Sequence, residues 1–123
     1  MRILVLEDDV VSMKILTTLL SRHAQSVDAV HTPESALQLL RRDNYDVVVT
    51  DLMMQGMNGV DFIAAVLDER LVERLRIFVV TGTPENGMII QFIRKQGIKV
   101  LFKPVIAQEL TDAIKAIPQK NQL

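Results

Sequence analysis

Apolar positions along this chain change their period repeatedly. Short β-branched or apolar runs at 3–6, 27–30, 47–50, 77–81 and 99–102 read as strands. Between them, apolar residues recur at spacings of three and four, the mark of a helix face. Residues 10–22 carry Ile15, Leu16, Leu19 and Leu20, and residues 33–42 carry Ala36, Leu37, Leu39 and Leu40. Thr32 and Pro33 suit the N-cap and first helical positions. Residues 59–69 carry Val60, Ile63, Ala64 and Leu67 behind a cap at Asn58. Residues 85–95 follow Pro84 and stop at Gly97, and residues 108–117 carry Leu110, Ala113, Ile114 and Ile117 before Pro118.

The runs starting at Ile3, Val47 and Ile77 are almost wholly apolar, as expected of strands covered by helices on both faces. Five strand–helix alternations predict an α/β fold, a doubly wound (βα)5 arrangement around a parallel five-stranded sheet with right-handed crossovers. Neither a repeat nor a linker interrupts the pattern. One domain is expected over 1–118, with a polar, frayed tail at 119–123.

The chain's 123 residues suit one domain with a sizeable core. Fourteen basic against 15 acidic side chains leave a net charge of −1, so direct nucleic-acid binding is not expected. The absence of Cys excludes disulfides, thiolate metal sites and thiol catalysis. The first apolar run is too short and too soon acidic for a signal peptide, and no run is long enough to span a membrane. A cytoplasmic, soluble protein is the expectation.

Open α/β sheets bind ligands beyond the carboxyl ends of their strands. Those ends here carry Glu7-Asp8-Asp9, Asp51, Thr81 and Lys103. Clustered carboxylates repel one another unless a cation joins them, and Mg²⁺ takes oxygen ligands. A carboxylate attacking phosphorus also needs a fixed positive group beside the transferring oxygens. The residue types therefore suit phosphoryl chemistry. Asp9, one place further on, suits an N-cap for the first helix.

In order and position, ILVLEDD at 3–9, DLMMQGMNG at 51–59, VVTGT at 79–83 and LFKP at 101–104 resemble the receiver domain of two-component response regulators. The resemblance covers nearly the whole chain and implies the flavodoxin-like strand order 2-1-3-4-5. It implies Asp51 as phosphoacceptor, and Mg²⁺ held by Asp8 directly, Glu7 through water, Asp51, and the backbone carbonyl of Met53. Thr81 would bond a phosphoryl oxygen, Lys103 would pair with the phosphoryl group, and the Lys103–Pro104 bond would be cis. A sensor histidine kinase or histidine phosphotransfer protein would dock on the first helix, where Val11, Lys14, Ile15 and Thr18 point outward if Ser12, Leu16 and Leu19 face the sheet. The loop after Pro104 would complete that surface, and the family also allows a phosphorylation-dependent homodimer. The resemblance implies a regulator that assists its own phosphorylation and dephosphorylation, rather than an enzyme.

Two positions depart from the pattern. Val100 stands where the family often has Tyr or Phe, so the usual coupling of threonine to an aromatic ring lacks its ring. Gln55 stands where proline is common. Val100 keeps open a phosphorylation-independent interaction module. A small-ester phosphoaspartyl hydrolase would want Asp-x-Asp after the first strand, which Glu7-Asp8-Asp9 does not supply. The run from Thr81 to Glu85 is similar to a flavin-phosphate loop, but flavodoxins place that loop after the first strand. Met53, Met54 and Met57 read as soft packing beside the site, and His23 and His31 as surface or turn residues. No output or further domain is legible in these 123 residues, which suit either a stand-alone regulator or a receiver cut from a longer protein.

Overall fold

The computed structural model describes residues 1–54, 58–84 and 87–118. Five strands, β1 (Arg2–Leu6), β2 (Ser26–Val30), β3 (Val47–Thr50), β4 (Ile77–Thr81) and β5 (Lys99–Phe102), alternate with five helices. These are α1 (Val10–Leu20), α2 (Pro33–Arg42), α3 (Gly59–Asp68), α4 (Met88–Lys95) and α5 (Ala107–Lys115). All strand pairs are parallel, in the order β2-β1-β3-β4-β5. The expected doubly wound sheet and strand order are therefore present.

Alternation along the strands divides the core in two, because successive side chains point to opposite faces. Leu4, Leu6, Val48, Ile77, Val79 and Val100 meet α2, α3 and α4 on one face. Ile3, Val5, Val47, Val49, Phe78, Val80 and Leu101 meet α1 and α5 on the other. Covering both faces explains why the central runs contain so little polar sequence. Among the described residues no helix is long and apolar enough to cross a membrane.

Local chemistry places the helix starts. Asp9 Oδ2 accepts the Ser12 N–H at 2.8 Å, Thr32 Oγ1 accepts that of Ser35 at 3.2 Å, and Asn58 Oδ1 accepts that of Asp61 at 2.9 Å. Each satisfies an N–H that the first turn leaves without a partner. Asp9 is thus the cap that its position suggested. Gly97 takes φ +82 just past α4, where a side chain would be strained.

Several boundaries and faces differ from expectation. α1 ends at Leu20, not at residue 22, as the Ser21 hydroxyl turns back to the Thr17 carbonyl. Its buried residues are Leu16 and Leu20, with Leu19 only partly covered. α3 buries Phe62, Ile63 and Val66, while Ala64 is exposed. Burying a Phe ring gains far more than burying an Ala methyl, so the helix rotates to favour it. α4 starts at Met88 with Gly87 as its cap, and the expected start at Glu85 falls outside the described residues. α5 runs from Ala107 to Lys115, starting one residue and ending two residues earlier than expected. The tail at 119–123 and Gln55 also lie outside the described residues.

Candidate functional site

Glu7, Asp51 and Lys103 meet at the carboxyl edge of the sheet. Glu7 directly follows β1, Asp51 directly follows β3, and Lys103 directly follows β5. The Lys103 Nζ donates to Glu7 Oε1 at 2.7 Å and to Asp51 Oδ2 at 2.9 Å. Glu7 is fully buried and Asp51 nearly so. The second Asp51 oxygen, Oδ1, accepts the backbone N–H groups of Leu52 at 2.6 Å and Met53 at 3.3 Å. Lysine and two amides therefore hold the Asp51 carboxylate in one orientation.

The cluster is short of positive charge. Burial drives the Glu7 pKa up, and the Asp51 charge adds to that, while the Lys103 hydrogen bond pulls the other way without prevailing. For Lys103, burial is the largest influence and disfavours its charge, but hydrogen bonds to Asp51 and Glu7 outweigh it and raise the pKa. One ammonium cannot compensate two buried carboxylates. Glu7 Oε2 is left buried with no hydrogen-bond partner among the described residues. An orphaned carboxylate oxygen beside a second carboxylate is an oxygen-only donor set, which suits a hard cation. Among the described residues, however, no three His, Cys, Asp or Glu side chains are gathered closely enough to form a metal cluster on their own.

The other expected residues take distinct positions. Asp8 is exposed, so the buried member of the acidic pair is Glu7. Thr81 closes β4 and is fully buried, and its carbonyl accepts the Lys103 N–H at 2.9 Å. Its hydroxyl donates to Thr83 Oγ1 at 3.0 Å. The Lys103–Pro104 bond is cis. Met53 is 68% exposed, so it is not the packing residue that the methionine cluster suggested, whereas Met54 packs against the core. Met57 lies outside the described residues. His31 is exposed, and His23 Nε2 lies 3.1 Å from Thr111 Oγ1, linking the region after α1 to α5.

Sequence reasoning gave Gly59 no role beyond starting a helix. A Cβ there would stand 2.5 Å from the Asp51 carbonyl oxygen and 2.5 Å from the Leu52 Cα. The Gly59 N–H also donates to the Leu52 carbonyl at 2.8 Å. Gly59 thus braces the turn that carries Asp51. Its place at the end of the 51–59 motif was the available signal.

The family model "Response regulator receiver domain" matches residues 3–115. The chain belongs to the response regulator receiver family. This receiver is 30% identical to Chemotaxis protein CheY of Pseudomonas aeruginosa, over 95% of both chains. It is 33% identical to a two-component response regulator of Oryza sativa over 89% of its length, but spans only 16% of that protein. It spans 22% of a two-component response regulator of Arabidopsis thaliana, at 27% identity. Among solved structures, the signal receiver domain of an HD domain-containing protein from Pseudomonas fluorescens superposes with a TM-score of 0.80 at 25% identity, covering 94% of this receiver and 92% of that chain. A sensor protein from Polaromonas gives 0.80 at 27% identity, covering 94% of each. Membership makes this a two-component signalling domain.

Proposed function

We propose that the receiver is a phosphorylation switch whose acceptor is Asp51. The Lys103 ammonium bonded at once to Glu7 and Asp51 carries this reading, because it puts fixed positive charge where transferred phosphoryl oxygens would sit. The Asp51 carboxylate attacks the phosphorus of a phosphohistidine, a P–O bond forms, the P–N bond breaks, and the imidazole leaves with its electron pair. Two amide donors at Oδ1 hold the carboxylate against rotation during the attack.

Mg²⁺ would be held by Asp8, Asp51, the Met53 backbone carbonyl and, through water, Glu7. When bound it would offset the charge crowding between carboxylates and phosphate. Lys103 pairs with the acquired phosphoryl group and Thr81 donates to one of its oxygens. These contacts shift α4, β5 and α5 toward an output-competent state. The domain assists its own phosphorylation and hydrolysis.

The phosphodonor, a sensor histidine kinase or histidine phosphotransfer protein, docks on α1 and the loop after Pro104. Val11 and Ile15 are 65% and 49% exposed there, with Lys14 and Thr18 also outward and Ile106 exposed alongside. Output partner and homodimer formation follow phosphorylation. The intended setting is the cytoplasm, and the receiver unit spans 1–118.

Incubation with acetyl phosphate and Mg²⁺, followed by intact mass, tests the reading. One phosphoryl adduct that vanishes in Asp51→Asn is expected. No adduct on a folded protein would instead favour an interaction module, the reading to which the buried aliphatic Val100 lends weight.

A further inference from the structure

We propose that Thr83 is a positioning residue that holds the Thr81 hydroxyl in reserve until a phosphoryl group arrives. The inference rests on the reading of Asp51 as phosphoacceptor. A threonine hydroxyl has one proton to donate. That of Thr81 is given to Thr83 Oγ1 at 3.0 Å, while Thr81 Oγ1 itself accepts the Thr83 backbone N–H at 3.2 Å. Both bonds are made with a single residue two places along the chain. Thr81 is fully buried, so water is not a ready substitute for either.

The Thr81 backbone has little freedom. It ends β4, is in register with Phe102, and accepts the Lys103 N–H at its carbonyl. Its side chain is the part that can turn. Gly82 meets no atom within 4 Å of the position of an added Cβ, so packing does not clamp the short link to Thr83. Donating to a phosphoryl oxygen therefore means giving up the Thr83 hydroxyl, and the two acceptors compete for one proton. Thr83 stabilises the resting arrangement, and its loss favours the phosphorylated one.

Thr83→Val keeps the shape and removes the acceptor. A neutral hydrogen bond is worth about 1 kcal/mol net, which corresponds to roughly fivefold in an equilibrium. Beryllofluoride with Mg²⁺, a non-covalent stand-in for the phosphoryl group, reports that equilibrium through amide NMR. Thr83→Val should reach half-saturation at about fivefold lower beryllofluoride than the native chain. Thr83→Ser, which restores the acceptor, should return to the native value. In a Thr81→Ala background, Thr83→Val should have no effect. If Thr83→Val does not fold, Thr83→Ala lacks the same acceptor and carries the same expectation.

An unchanged or higher half-saturation in Thr83→Val, a serine variant that behaves like valine, or an effect that persists in Thr81→Ala would each overturn the latch. A native chain that takes no beryllofluoride, or a response that survives in Asp51→Asn, would overturn the phosphoacceptor reading and the latch with it.

Discussion

Lys103 and Asp51 are 52 positions apart, yet Nζ of the first lies 2.9 Å from Oδ2 of the second. β4 stands between the strands that carry them, and parallel strands lie about 4.8 Å apart. The two spacings come to about 10 Å, which the lysine stem and the Asp51 side chain reaching toward it span together. The ammonium then serves Glu7 as well, 96 positions away.

Lys103→Met should destabilise the fold by about 2–4 kcal/mol at neutral pH without divalent cations, since removing one partner strands two buried carboxylates. The Glu7 pKa, already raised, should rise further. A raised carboxyl pKa gives stability that is present below the unfolded value and is lost as pH rises through the folded one. The deficit should therefore shrink as the pH falls toward the unfolded Glu range, as urea unfolding at several pH values would show. A deficit that grows on acidification would contradict this charge balance.

Gly59→Ala pits two effects against each other. Alanine gains up to about 1 kcal/mol of helix propensity over glycine. Against that, its Cβ would stand 2.5 Å from backbone atoms of Asp51 and Leu52, which cannot yield as a flexible side-chain tip would. Forced backbone shifts cost about 1–3 kcal/mol, so sterics should win and the variant should unfold at lower urea. Acetyl phosphate labelling of Asp51 should also slow, because the Leu52 and Met53 amides move with that turn.

Tyr45 is the only tyrosine in the chain, which makes its titration easy to follow by tyrosinate absorbance. It is buried, and its hydroxyl donates to Asp28 Oδ2 at 2.7 Å. Burial first, then the Asp28 hydrogen bond and charge, push its pKa up to about 12. The stability it contributes should be intact below pH of about 10 and decline as pH rises toward 12. Asp28→Asn should bring the tyrosinate transition back toward lower pH, and an unchanged midpoint would deny Asp28 that influence.

Charge on α1 should separate protein donors from small ones. Val11→Glu and Ile15→Glu alter exposed side chains, so unfolding midpoints should move by less than about 0.5 kcal/mol. Transfer from a phosphorylated histidine phosphotransfer protein should slow at least about tenfold, as loss of a docking anchor implies. Labelling by acetyl phosphate should be unaffected. Equal slowing with both donors would place the defect in the chemistry instead of the docking surface.

Much of this architecture was legible before folding because it depends on neighbours in the chain. The unbroken apolar runs of β1, β3 and β4 announced strands buried on both faces, and Asp9, Thr32 and Asn58 announced helix starts through bonds spanning only three residues. The order of acids, threonine and lysine after successive strands announced that they would gather at one edge of the sheet. Tertiary structure decided which partners actually meet. It buried Glu7 while leaving its neighbour Asp8 exposed, turned α3 to place Phe62 in the core at the expense of Ala64, and set Gly59 against the backbone of Asp51. Strand period and capping are short-range preferences that a few residues express by themselves. Which oxygen finds the one ammonium depends on strand order and register, and those are settled only when the two halves of the core close on the sheet together.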